Sequence, residues 1–174
     1  TAATLTAEDV SSSGFRITVT NQTGHKLPTG YPSRRIWLHV TVRANDQVIF
    51  ESGAVDAAGR LADDDRSLRP HLDQITAPDQ VQVWQLVLVD AEGQPTHRAL
   101  DAARAGKDDR ILPQGYAPTG SDVARTAAVG VGSDASFLPG RRSSVTEPRA
   151  RIVICLKPLV PSLLASAQTC IPFA

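Results

Sequence analysis

Residues 21–43 read NQTGHKLPTGYPSRRIWLHVTVR. The first half is built as a loop and the second as a strand. Gly24, Pro28, Gly30 and Pro32 crowd into residues 21–33, which excludes regular structure there and predicts an ordered loop. From Ile36 to Val42, the apolar residues Ile36, Leu38, Val40 and Val42 alternate with Trp37, His39 and Thr41. That two-residue period belongs to a strand with one face in a core. The loop carrying His25 and Lys26 therefore leaves from the end of a rigid sheet, where functional side chains concentrate.

Other segments repeat the strand pattern. Phe15, Ile17 and Val19 alternate with polar neighbours. Ala44 to Gln47 predict a turn, with Val48 to Phe50 as the returning hairpin strand. Val81 to Val89 and Arg149 to Lys157 predict two more strands, the first followed by a turn at Asp90 to Gly93. Residues 97–110, with their alanines and scattered charges, predict a short helix, and Val123 to Val131 a strand weakened by Gly130 and Gly132. Residues 53–79 predict a long irregular loop of the kind that is often functional. The expected fold is all-β: an antiparallel Ig-like β-sandwich of about seven strands with long loops and at most one short helix. No linker or internal repeat divides the chain, so a single domain is expected over 1–174, with its core over about 15–158 and a C-terminal tail over 159–174.

Composition narrows the function. The chain has 174 residues, 41% hydrophobic and 21% charged, with 18 basic residues against 18 acidic ones. A neutral chain has no generic attraction for nucleic acid or anionic membrane. No apolar run approaches the roughly 20 residues that span a bilayer, so no transmembrane segment is expected. The sequence begins at Thr1 and holds no methionine, which fits a mature exported product, a processed fragment or a piece of a larger chain. Cys155 and Cys170 leave two alternatives open: a disulfide worth about 3 kcal/mol in an oxidising compartment, or one buried thiol and one spare.

Several chemistries are excluded by motif. There is no Cys-x-x-Cys-His, so c-type haem is not attached to this chain by the usual motif. No histidine follows Cys155, so a blue-copper site lacks its ligand order. His25, His39, His71 and His97 are too far apart to resemble a structural zinc motif. No Gly-x-Ser-x-Gly elbow or phosphate loop is present. Asp63, Asp64 and Asp65 offer oxygen ligands for calcium but lack the EF-hand spacing, and read otherwise as a solvated loop. With no nucleophile–base pair, an enzyme is not expected.

The string from Thr23 to Arg35, continuing through Trp37-Leu38-His39-Val40, resembles the start of a β-sandwich module at the C-terminal end of bacterial multihaem c-type cytochromes. Val48 to Gly53, Arg69-Pro70-His71, Asp79 to Trp84 and Lys107 to Pro113 resemble further parts of that module in order, so the resemblance covers roughly residues 15–158. Arg69 departs from it, since the family usually has an acid there, and the haem-binding part that normally precedes the module is missing. The resemblance implies a non-enzymatic structural or docking subunit or domain of an exported multihaem cytochrome electron-transfer complex, periplasmic or extracellular. It would shield haem c carried by a partner chain or a missing part. The alternative is a stand-alone extracellular module binding carbohydrate or another ligand.

Five residues are candidates for contact with that cofactor. His25 would serve as an axial haem-iron ligand or bond a propionate; otherwise it is a loop histidine held by a backbone carbonyl. Lys26 would pair with the same propionate. Arg34 and Arg35 would grip carboxylates, or else tie neighbouring acidic loops. His71 carries the same two readings as His25. Trp37, Trp84 and Tyr31 are expected to be core or edge aromatics.

Overall fold

The structure, a computed structural model, describes residues 1–11, 14–32, 34–61, 68–117, 119–137, 149–155 and 164–170. Among these residues the elements in order are β1 (Ala3–Ser11), β2 (Gly14–Asn21), β3 (Arg35–Ala44), β4 (Gln47–Ser52), β5 (Gln74–Ile75), β6 (Val83–Val89), β7 (Pro95–Thr96), β8 (Arg104–Asp108), α1 (Val123–Thr126), β9 (Arg149–Cys155) and β10 (Leu164–Cys170). One sheet runs β1-β2-β9-β5; the other runs β10-β3-β6-β7, with β4 on β3 and β8 on β6. All pairings are antiparallel except β5 with β9. The fold is a β-sandwich, as the alternation patterns predict, with one short helix among the described residues.

The core forms where the two strand periods meet. Phe15, Ile17 and Val19 of β2 face Ile36, Leu38, Val40 and Val42 of β3, with Trp84 and Ile111 in the same cluster. Each such side chain contributes about 1.5–3 kcal/mol by leaving water. The opposite face of β3 buries Trp37 against Leu61 and Val83. Its indole Nε1 donates to the Gly53 carbonyl at 3.1 Å, which ties the chain after β4 to the sheet.

Local chemistry sets the turns. Asn45 and Asp46 both take left-handed φ values, 48° and 63°, between β3 and β4. This two-residue connection matches the twist of the flanking strands. At Gly106 the β6–β8 ladder slips: Val87 faces Lys107 and Leu88 faces Ala105, so Gly106 is an extra residue in a bulge.

Two expectations are corrected. Residues 97–110 are not helical; 104–108 form β8 on the edge of β6. Alanine's helix preference is worth only tenths of a kcal/mol per residue, less than the ladder hydrogen bonds gained by pairing the open edge of β6. Residues 123–131 hold α1 and one isolated bridge, Asp108 to Val129, rather than a strand. Gly130 and Gly132, at φ 74° and 56°, end any extended run. Within the tail, 164–170 pair along β3 from Arg43 to Trp37, so this part belongs to the sheet. The aspartates at 63–65 lie outside the described residues, as do the side chains of Cys155 and Cys170.

Gly53 has φ 77°, and a Cβ there would run into the Leu38 backbone carbonyl. Gly53→Ala is expected to destabilise the fold by about 2–4 kcal/mol, read as a lowered urea midpoint. An unchanged midpoint would remove this close approach from the account of how β4 is held.

Candidate functional site

The signature loop is stitched to a distant segment by one buried amide. Asn21 ends β2 and is fully buried. Its Nδ2 donates to the carbonyls of His25 at 2.7 Å and of Ile111 and Leu112 at 3.2 Å each. Its Oδ1 accepts from the Thr23 backbone N–H at 2.9 Å and hydroxyl at 2.7 Å. Leu27 and Ile111 exchange backbone hydrogen bonds at 3.0 and 2.9 Å. The loop is therefore fixed against the run that follows β8.

That run, Lys107-Asp108-Asp109-Arg110, sends its charges alternately to two sides, as an extended chain does. Asp108 and Arg110 serve the loop side. Lys26 Nζ donates to Asp108 Oδ2 at 2.6 Å, while Arg110 donates through Nε at 2.7 Å and Nη2 at 2.8 Å. Burial alone would raise the Asp108 pKa, but hydrogen bonds from Arg110 and Lys26, with their charges, hold it below the usual carboxylate range. Lys26 and Arg110 line an open cleft of about 440 Å³, with His25, Thr29, Pro113, Tyr116, Asp122, Val123 and Arg125 among its walls.

His25 is exposed on this cleft. Its Nδ1 lies 3.2 Å from Thr23 Oγ1 and 3.3 Å from the Lys26 carbonyl. The carbonyl only accepts, and the Thr23 hydroxyl proton goes to Asn21 Oδ1 at 2.7 Å. We therefore assign the proton to Nδ1, which leaves the Nε2 lone pair open, with no hydrogen-bond partner among the described residues.

Lys107 and Asp109 serve the inner side. Asp109 is fully buried and accepts from Lys107 Nζ at 2.9 Å, from Gln82 Nε2 at 3.1 Å and from the Gln85 N–H at 2.8 Å. His71 Nδ1 stands 3.0 Å from Asp109, and its Nε2 stands 2.9 Å from Asp134. The ring packs edge-on to Phe137 at 5.2 Å and is 4% exposed. Burial works to lower the His71 pKa. The hydrogen bonds and charges of Asp109 and Asp134 outweigh it, and the imidazole is held above its ordinary range. Asp134 moves the other way: burial raises it, but the bonds to His71 and Ser136 prevail and hold it low.

The structure separates the five sequence candidates. His25 and Lys26 share the cleft. Arg34 folds back on its own loop, its Nη1 at 3.4 Å from the Thr29 carbonyl. Arg35 stands 5.9 Å over the Trp37 ring. It also lies near Arg69, whose pKa is lowered by burial and by the Arg35 charge. His71 is locked inside the acidic pair. Trp37 and Trp84 are core residues, while Tyr31 is 60% exposed. Tyr116, which the sequence offers with Tyr31 as an exposed aromatic for the binding-module alternative, lines the cleft. Sequence reasoning missed Arg110, Asp108 and Arg125 as site residues there, and Gln82, Asp109 and Asp134 in the interior. The signal was the uninterrupted Lys-Asp-Asp-Arg run, which a helical reading conceals.

No family model and no curated protein matches this sequence. Among solved structures, the chain is similar to a penta-haem cytochrome c552 from Thermochromatium tepidum, with a TM-score of 0.43 and 22% identity. The match covers 64% of this chain and 25% of that one, so it concerns one region of a multihaem cytochrome. Among the described residues no helix is long and apolar enough to cross a membrane.

The His71 network predicts a pH profile. Its folded pKa is raised, so its contribution is full below the unfolded value of about 6.5 and is lost as pH rises through the folded value. Asp108 and Asp134, with depressed values, contribute above about pH 3.9 and lose their share as pH falls through their folded values. Urea midpoints are expected to decline on the alkaline side. His71→Gln should lower the plateau by about 3 kcal/mol and flatten that decline. A variant that keeps the wild-type alkaline slope would refute the assignment to His71.

Proposed function

We propose that this sandwich is a non-enzymatic docking domain or subunit for a multihaem c-type cytochrome in the periplasm or outside the cell. The observation that carries the reading is His25. It sits exposed on a loop anchored by Asn21, its Nδ1 engaged and its Nε2 open, beside the fixed cations Lys26 and Arg110. An imidazole whose other nitrogen is already oriented is prepared for ligation or for a single directed hydrogen bond. The sequence resemblance over residues 15–158 names the partner class, because the string from Thr23 to Arg35 carries it.

Haem belongs to the partner in this reading. When present, it supplies electron transfer. His25 would approach its iron or a propionate, and Lys26 and Arg110 would face propionate charge. The β-sandwich would exclude water from the haem edge, which tunes its potential through the local dielectric.

The test is binding of this chain to a multihaem cytochrome, with the haem absorption spectrum recorded in the complex. His25→Ala is expected to weaken the complex about tenfold, about 1.4 kcal/mol, or to shift the Soret band. His97→Ala, at an exposed bend, is expected to do neither. Unchanged affinity together with an unchanged spectrum in His25→Ala would reject both roles.

A second reading, a stand-alone carbohydrate-binding module, is favoured by Tyr31, 60% exposed on the same loop. It predicts glycan binding without any cytochrome, abolished by Tyr31→Ala. An empty glycan screen rejects it.

A further inference from the structure

We propose that the cleft beside His25 is a carboxylate-binding site, where Arg110 and Lys26 hold the carboxylate and Pro113 and Tyr116 cover a flat apolar body. Haem propionate as the natural source rests on the docking reading above; the carboxylate site itself stands on the cleft.

The charges favour an anion. One carboxylate, Asp108, holds both Lys26 and Arg110, which leaves that trio one positive charge in excess. On the facing wall Arg125 and Asp122 stand 3.9 Å apart and cancel each other. The excess charge of the trio is balanced by one monoanion, whereas a phosphate dianion would exceed it.

The donors have the right shape. Arg110 spends its Nε and one Nη2 hydrogen on Asp108. Its end-on Nη1/Nη2 edge makes no hydrogen bond among the described residues, and that edge is a planar fork suited to a second carboxylate. Lys26 spends donors on Asp108 and, at 3.5 Å, on the Ala127 carbonyl, and an ammonium has a third. The two side chains are 13% and 18% exposed, so they are held in place before any ligand arrives. Little ordering entropy remains to be lost on binding. The depressed Asp108 pKa keeps this arrangement charged across the neutral range.

The experiment titrates the protein with benzoate, with its neutral analogue benzamide and with inorganic phosphate, following amide chemical shifts. Benzoate is expected to saturate with a dissociation constant of about 1 mM and to move the signals of Lys26, Arg110 and Tyr116. Benzamide and phosphate should bind at least tenfold more weakly. Arg110→Gln should weaken benzoate tenfold or more. Arg125→Glu, at an 85% exposed side chain that leaves the Asp108 trio intact, should weaken it several-fold. Equal shifts from benzoate and benzamide, tighter binding of phosphate, shifts away from the cleft, or unchanged affinity in Arg125→Glu would each overturn the proposal.

Mesoporphyrin and its dimethyl ester separate the sources of the carboxylate. Tighter binding of the diacid alone supports a propionate; a diacid no tighter than benzoate assigns the site to a small aromatic acid. If benzoate binds selectively while no cytochrome does, the carboxylate site stands and the docking reading falls. If a cytochrome binds while benzoate selectivity is absent, only the site falls.

Discussion

A fully buried carboxylate, Asp109, is the constraint around which one end of this sandwich is organised. An ionised group taken out of water costs several kcal/mol unless charge and hydrogen bonds replace its hydration. Asp109 recovers them from Lys107, His71, Gln82 and the Gln85 N–H. These donors come from β8, from β6 and the residue just before it, and from the segment around His71, so satisfying one side chain fixes three separate stretches together. His71 then passes the requirement on, because its second nitrogen engages Asp134. With His71 protonated, two cations meet two anions, and the interior is neutral. Gln82 completes the arrangement by accepting the Leu72 N–H at 2.6 Å through its own side-chain oxygen.

The cleft is the outward consequence of the same strand. Neighbouring residues of an extended chain face opposite ways, so burying Lys107 and Asp109 turns Asp108 and Arg110 outward. The bulge at Gly106 sets this phase, as bulges beside functional sites commonly do. Gly106 also has to be small there, since a Cβ would lie 2.5 Å from the Val89 side chain. Lys26 reaches Asp108 only because Asn21 and the Leu27–Ile111 bridge bring the signature loop alongside.

Much of the sandwich was legible in the sequence because its central strands carry a strict two-residue period. Phe15-Ile17-Val19 and Ile36-Leu38-Val40-Val42 are buried in one cluster, as their spacing implies. The turn at Asn45-Asp46 was legible from residue type. β8 was not, because its burial is of charges: Lys107 and Asp109 read as surface residues until the distant partners His71, Gln82, Val83 and Gln85 are known. β1 and β10 were missed for a different reason. Their threonines, serines and alanines carry little hydrophobic contrast, and only pairing to β2 and β3 makes them strands. In the site, a glycine- and proline-rich loop gave away His25 and Lys26. Arg110 comes to the cleft through contacts that no local pattern encodes, and His71 looked like a companion of His25 although burial assigns it to the interior.

The adjacency of Asp108 and Asp109 has a mechanical meaning. Moving Arg110 and Lys26 away from the cleft would require Asp108 to move, and its backbone is paired with Val129 at 2.9 Å in both directions. Asp109, one residue on, is held by four donors in the core. The cleft cations are therefore attached, through Asp108, to a densely hydrogen-bonded part of the interior. A charged surface built this way gains specificity from its rigidity, since a mismatched partner cannot be accommodated by swinging a side chain aside. The exposed His25 ring adds a single open nitrogen to that fixed field. Its direction is set by Thr23 and the Lys26 carbonyl, and through Asn21 these answer to the same framework.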